Sequence, residues 1–186
     1  TFTFFVEQAS LAVADQILVW LDGDATDAST VSTIASTSLA ITGLDLYADT
    51  VIVRNGSVAS TTDAATLEFY DSDDDADIPY QASSTGETLS ITGGNELHIW
   101  TGTNFEAPAS TTYTGNFHND GGTYVEPFGT TTFTGTGATI SGTVSGTSAL
   151  GDVVVTGSYT MSSNASTSDL TISSGGSLVA PALLTI

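Results

Sequence analysis

The chain alternates apolar and polar residues over short segments, which is the two-residue period of a β-strand. At the start, Phe2, Phe4 and Val6 follow this period, and the apolar runs at residues 17–21 and 51–53 have strand length. Neither run approaches the ~20 residues of a membrane-spanning helix. Only residues 7–20 contain enough Ala and Leu to be compatible with a helix. The pattern therefore predicts an all-β protein with no membrane insertion.

A three-residue motif recurs in the second half of the chain. An apolar residue followed by Thr and Gly occurs at residues 113–115 (YTG), 133–135 (FTG) and 155–157 (VTG), at spacings of 20 and 22 residues. Each Gly ends a run rich in the β-branched residues Thr and Val, which suit a pleated surface. A fourth run, residues 170–172 (LTI), precedes the turn-forming sequence SSGG.

Short strands, Gly-marked turns and this regular spacing predict the stacked rungs of a β-solenoid in residues 88–186. For residues 1–87, an acidic region without this regular spacing of about 20 residues, we predict a β-sandwich, whose strands also recur with turns between them. The two regions are compatible with one continuous domain. The alternative for the whole chain is a single β-sandwich or jelly roll.

The second half also resembles a class of secreted proteins. Residues 115–124 (GNFHNDGGTY), 130–135 (TTTFTG), 138–142 (ATISG) and 170–178 (LTISSGGSL) are similar to the Gly/Thr-rich strand repeats of large cell-surface proteins of bacteria and archaea. The resemblance covers residues 88–186 and implies a surface-exposed, adhesin-like or fibre-forming role. It implies no catalytic residues, because that class is not defined by an active site.

The net charge of the chain bears on its binding partners and on its location. Arg54 is the only Lys or Arg against 21 Asp and Glu, so the formal net charge is 1 − 21 = −20. Nucleic-acid binding and adsorption to anionic lipid both require clustered cations and are excluded. A surface made soluble by carboxylates, hydroxyls and amides predicts an extracellular or cell-surface location. The first residue, Thr1 rather than Met, fits a mature chain after removal of a signal peptide.

Two Asp-rich segments are candidate Ca²⁺ sites, because Ca²⁺ binds several oxygen atoms, often from alternating carboxylates of one loop. The candidate ligands are Asp71, Asp73, Asp75 and Asp77 in the first segment and Asp22, Asp24 and Asp27 in the second. The first segment lacks the Gly and Glu of an EF-hand loop. The alternative for both segments is a solvated acidic turn.

The chain shows no catalytic motif, and we predict that it is not an enzyme. The G-x-S-x-G sequence of a nucleophile elbow is absent. A transition-metal site needs three or four converging ligands, and nothing in the sequence pairs His98 with His118. Two carboxylates would be enough for a glycosidase, so the acidic residues alone do not decide the question.

Asn55 and Asn164 each begin an N-x-[ST] sequence, the acceptor for N-glycosylation. Chance matches are the alternative explanation in a chain so rich in Ser and Thr.

Both ends of the chain are apolar, which bears on assembly. The candidate assembly residues are Thr1, Phe2, Phe4 and Val6 at the start and Leu183, Leu184 and Ile186 at the end. An apolar strand can complete the sheet of a neighbouring subunit, and head-to-tail addition builds a filament because it does not close. The alternative is that both ends pair within their own domain.

These features favour a structural subunit of an extracellular fibre, a homopolymer that assembles by strand complementation or end-to-end stacking. One alternative is an adhesin or carbohydrate-binding module that contacts cell-surface glycans through Trp20, Trp100 or Tyr side chains. Another alternative is ice binding through ladders of Thr side chains such as Thr130, Thr132 and Thr134.

Overall fold

The computed structural model describes residues 12, 15–23, 26–35, 44–55, 61–126 and 129–186. The fold is a β-solenoid of about seven turns, which confirms the all-β prediction and the stacked strands predicted for residues 88–186. Within the described ranges the helices are α1 (Ala64–Leu67) and a 3₁₀-helix at Gly146–Ser148. No helix in this part of the chain is long and apolar enough to cross a membrane.

The strands form three sheets that run along the stack. In spatial order, sheet A contains β1 (Gln16–Trp20), β2 (Ser29–Ile34), β3 (Thr50–Val53), β7 (Glu96–Ile99), β10 (Phe117–Asn119), β13 (Thr136–Gly142), β15 (Ser158–Met161) and β17 (Ser177–Val179). Sheet B contains β4 (Thr61–Thr62), β8 (Asn104–Glu106) and β11 (Thr123–Val125). Sheet C contains β5 (Tyr80–Ser83), β6 (Thr88–Ile91), β9 (Ser110–Tyr113), β12 (Thr130–Phe133), β14 (Leu150–Val155), β16 (Ala165–Ile172) and β18 (Leu184–Thr185).

Two turns visit the three sheets in order, β7, β8 and β9 and then β10, β11 and β12. The later turns pass from β13, β15 and β17 in sheet A to β14, β16 and β18 in sheet C without a strand in sheet B. Successive turns pair in parallel register, so that Phe117 lies opposite Leu97 on one side and Ile140 on the other. These three side chains are fully buried. The core is therefore a set of apolar stacks that extend along the solenoid axis.

The repeated motif occupies equivalent positions in sheet C. Tyr113 pairs with Phe133, and Phe133 pairs with Val155, which pairs in turn with Ile172. The rings of Phe133 and Tyr113 pack with their centroids 5.6 Å apart. Because alternate residues of a strand point to opposite faces, the Thr residues directly before and after Tyr113 and Phe133 face outward.

The Gly of each motif forms the corner between sheets C and A. A Cβ atom added at Gly115, Gly135 or Gly157 would overlap a backbone carbonyl oxygen of the preceding turn. Gly is needed at these corners because successive turns approach each other through the backbone alone.

The β-sandwich predicted for residues 1–87 is not confirmed, and neither is the jelly roll. Strands β2 and β3 already pair in parallel, and β3 pairs in parallel with β7 across the predicted region boundary. The repeat was hidden because Thr50 and Glu96 are register partners although they are 96 − 50 = 46 residues apart. The added length contains α1, an acidic loop at residues 68–79 and the hairpin of β5 and β6.

We predict that Gly135→Ala lowers the free energy of unfolding by about 3 kcal/mol or more, because the added Cβ would separate two turns. Urea titration followed by circular dichroism measures this loss. The matched control is Gly146→Ala, where a Cβ meets no atom but φ is +64°, so we expect a loss of about 1 kcal/mol. Equal losses in the two variants would contradict the close-approach argument.

Candidate functional site

The acidic segment at residues 71–77 covers the outer edge of β5. Asp71 is 3% exposed, and its Oδ2 accepts a hydrogen bond from the N–H of Ala82 (2.8 Å). The N–H of Ser72 donates to the carbonyl oxygen of Tyr80 (3.0 Å). The loop therefore satisfies backbone groups that an edge strand would otherwise expose, and its carboxylates repel a further acidic strand.

Three of the four predicted Ca²⁺ ligands in this segment accept hydrogen bonds from backbone N–H groups, and Asp73 Oδ1 accepts from Gln81 Nε2 (3.0 Å). Asp71 Oδ1 accepts from the N–H of Asp73 (2.8 Å), Asp75 Oδ1 from the N–H of Asp77 (3.0 Å), and Asp77 Oδ2 from the N–H of Gly23 (2.6 Å). Across the described residues, no group of three or more His, Cys, Asp or Glu side chains is placed to hold a metal ion. Ca²⁺ binding stays a prediction.

In the second acidic segment, Asp22 and Asp27 are exposed, and Asp24 lies outside the described residues. The hydrogen bond between Gly23 and Asp77 joins the two segments at the same end of the solenoid.

The two candidate glycosylation sites differ in access. Asn164 is exposed. Asn55 is 1% exposed, and its side chain donates to the carbonyl oxygen of Asn104 (3.2 Å) and accepts from Thr62 Oγ1 (2.7 Å). A glycan on folded Asn55 would have to break both contacts, so Asn164 is the better placed acceptor.

The C-terminal rung, which we define as residues 177–186 and which contains β17 and β18, has an open face. Strand β17 pairs only with β15 and β18 only with β16 among the described strands. Val179, Leu183 and Ile186 are 61%, 58% and 68% exposed, while Leu184 is half-buried. The candidate assembly residues Thr1, Phe2, Phe4 and Val6 lie outside the described residues.

Both Trp side chains are half-buried rather than fully exposed. Trp20 packs against Tyr70 with ring centroids 5.3 Å apart. Trp100 stacks on His98 at 5.4 Å and lies under the guanidinium carbon of Arg54, which is 6.0 Å from its ring centroid. Burial lowers the pKa of Arg54, and the charge of Asp45 opposes that change. Glycan binding through either Trp stays a prediction.

The outer face of sheet C carries a regular array of hydroxyl groups. Its outward positions form three rows across β6, β9, β12, β14 and β16 and the residues that follow them. The rows are Thr88, Ser110, Thr130, Asp152 and Asp169; Ser90, Thr112, Thr132, Val154 and Thr171; and Thr92, Thr114, Thr134, Thr156 and Ser173. Twelve of these fifteen positions are therefore Ser or Thr.

Sheet A brings together the two His residues, which the sequence did not pair. His98 of β7 and His118 of β10 are register partners, and their ring centroids are 4.8 Å apart. The Nδ1 atom of His98 lies 3.6 Å from Glu96 Oε1, and that of His118 lies 2.7 Å from Ser141 Oγ. The contact with His98 is the main cause of a lowered pKa at Glu96. The missed signal was the spacing of 20 residues, the same as between Tyr113 and Phe133.

A partly buried carboxylate lies near the corner between sheets B and C. Glu126 Oε2 accepts hydrogen bonds from Thr131 Oγ1 (2.8 Å) and from the N–H of Gly151 (3.1 Å), while its Oε1 is buried without a partner in the described chain. Burial raises the pKa of Glu126, and the two hydrogen bonds oppose that rise. Nothing in the sequence distinguished this residue from the other acids.

No protein-family model matches the chain, and no curated protein or solved structure is similar enough to match it.

We predict that Glu126→Gln removes part of the pH dependence of stability. The folded chain holds the Glu126 proton more tightly than the unfolded chain, so ionisation destabilises the fold as pH rises through the raised pKa. The variant should gain stability relative to the wild type as pH rises from about 4 to about 7. Urea titrations over this range test the change, with the exposed Glu106→Gln as control. A constant difference between variant and wild type at every pH would contradict the prediction.

Proposed function

We propose that the protein is a structural subunit of an extracellular fibre, in which the C-terminal rung of one copy accepts a strand from the next copy. The observation that carries the proposal is the open face of this rung. Its edge strands have backbone groups free to pair, and its side chains Val179, Leu183 and Ile186 expose apolar surface. A terminal solenoid repeat that faces solvent has a polar outer face, whereas this rung presents apolar side chains.

Charge supports a second copy as the occupant of this face. Residues 170–186 contain no Asp, Glu, Lys or Arg, so an acidic subunit can approach without direct repulsion between like charges. Residues 1–106 hold 17 of the acids and residues 107–186 hold four. The approach of the acidic half of one copy to the weakly charged end of another keeps most carboxylates apart.

The opposite end of sheet C favours strand complementation over direct end-to-end stacking. Stacking needs a free edge at both ends, but the acidic loop already occupies the edge of β5 through Asp71 and Ser72. A donor segment that lies outside the rungs could pair with the neighbouring subunit without using the occupied edge of β5. The sequence candidate for the donor is the alternating segment that contains Phe2, Phe4 and Val6.

The hydroxyl array on sheet C supports ice binding as a second candidate function. Neighbouring strands of a sheet lie ~4.7–4.9 Å apart, and alternate residues along a strand lie ~6.6–6.8 Å apart. These two repeats make the hydroxyl groups a regular two-dimensional array, which suits contact with the ordered water molecules of an ice surface. Thr114 Oγ1 donates to the carbonyl oxygen of Ile91 (3.0 Å), so the rows that contain Thr112 and Thr130 would make the contact.

We expect the wild-type chain to form oligomers at high concentration and Leu183→Asp to remain monomeric, because a charge in the C-terminal rung opposes burial. Analytical ultracentrifugation measures the assembly. The matched control is Val125→Asp, an exposed apolar position on sheet B, which should assemble like the wild type. Deletion of residues 1–6 should also block assembly if they form the donor strand.

Low ionic strength should weaken assembly, because a net charge of −20 is then poorly screened. A chelator tests the predicted role of Ca²⁺ separately. Wild-type chains that stay monomeric by light scattering, with and without Ca²⁺, would rule out the fibre proposal.

For the second candidate, we expect the wild-type protein to show thermal hysteresis and Thr132→Tyr to lose most of it, because a bulky ring would hold the array away from the ice surface. Thr160→Tyr, at an exposed position on sheet A, should leave the hysteresis unchanged. Absence of hysteresis in the wild type would remove ice binding from consideration.

A further inference from the structure

The two imidazoles of sheet A are held in a defined orientation by their neighbours. Ser141 Oγ donates to the carbonyl oxygen of Phe117 (3.4 Å), so the same oxygen is left to accept from His118 Nδ1. An ionised carboxylate can only accept, and Glu96 Oε1 lies 3.6 Å from His98 Nδ1, which favours hydrogen on that nitrogen. Both rings are therefore assigned the tautomer with hydrogen on Nδ1 and a lone pair on Nε2.

The Nε2 atoms have no partner within the described chain. His98 Nε2 is buried without a hydrogen bond, and His118 forms its one hydrogen bond through Nδ1. A buried polar atom without a partner is costly in free energy and calls for an explanation such as a bound ion. The neighbouring Glu96 carboxylate would offset part of the charge of a cation.

We propose that His98 Nε2 and His118 Nε2 bind one late first-row transition-metal ion, Cu²⁺, Ni²⁺ or Zn²⁺. Imidazole nitrogen suits these ions. The ring centroids are 4.8 Å apart and the ring planes are inclined at 74°, so the rings would have to rotate before two metal–nitrogen bonds of ~2.0–2.1 Å could bridge them. Metal-binding His residues commonly donate their other N–H to a carboxylate or another oxygen, which is the role of Glu96 and Ser141.

The site supplies two protein ligands and leaves the other coordination positions open. Because no third His, Cys, Asp or Glu converges on the pair within the described residues, water or a ligand atom from a bound molecule would complete the coordination. Cu²⁺ should bind most tightly of the three ions, as expected from the general order of affinities for nitrogen sites. This inference is independent of the proposed fibre function, because the site lies on the outer face of sheet A.

Titration of the full chain with CuSO₄ in excess Ca²⁺ tests the proposal. Ca²⁺ prefers oxygen ligands and therefore competes with Cu²⁺ for the carboxylates. We expect one equivalent of Cu²⁺ by calorimetry and an electron paramagnetic resonance spectrum with splitting from two nitrogens. His98→Ala and His118→Ala should each abolish this binding, and Ser141→Ala should weaken it about 10–100-fold. Ni²⁺ and Zn²⁺ should compete with Cu²⁺ for the same equivalent.

The control variant is Asp73→Asn. It removes an exposed carboxylate that lies outside sheet A and should leave the nitrogen-ligated Cu²⁺ unchanged. Circular dichroism of each variant checks that the fold is retained, and all three substituted side chains of the site are on the outer face. Binding that survives in the His98→Ala/His118→Ala double variant would overturn the proposal. A spectrum with oxygen ligands alone would also overturn it.

Discussion

Backbone hydrogen bonding between parallel strands of successive turns is the interaction on which the rest of the structure depends. It fixes the register of every rung, so that a residue meets the residue at the same position of the next turn. Inward positions then become apolar stacks such as Leu97, Phe117 and Ile140, and outward positions become ladders. A slip of one residue would exchange the two faces, which makes the register highly specific.

Buried polar groups reinforce this register at the corners. The hydroxyl of Tyr159 accepts from the N–H of Gly135 (3.1 Å) and lies 2.9 Å from the carbonyl oxygen of Gly115, so one side chain joins three turns. Asn119, fully buried, donates to the carbonyl oxygens of Gly122 and Thr143 and accepts from the N–H of Gly122. Because an unsatisfied buried group is costly, these bonds favour one arrangement of the turns.

The two ends and the outer faces of the solenoid differ in chemistry, and this difference organises the functional proposals. The acidic loop gives one end of sheet C a charged cap, while the C-terminal rung leaves apolar side chains and strand edges open. The outer face of sheet C displays hydroxyl groups, whereas sheet A displays the two His residues beside Glu96 and Trp100. One stacked backbone thus presents several separate surfaces, each set by its outward residues.

The sequence by itself determined the all-β class, the stacked rungs of the second half and the corner Gly residues, because strand alternation and a near-constant spacing are local properties. The tertiary structure decided which distant residues meet. The solenoid in the first half was hidden by the 46-residue separation of Thr50 and Glu96. The alternation of Asp71 and Asp73 suggested ion ligands, but in the fold Asp71 accepts from backbone N–H groups and Asp73 accepts from the Gln81 side chain. His98 and His118 looked unrelated, although their spacing equals one turn. Which residues pair between turns depends on the number of residues in the segments that connect the strands. That number varies from turn to turn, so the pairs can be identified only once the register is known.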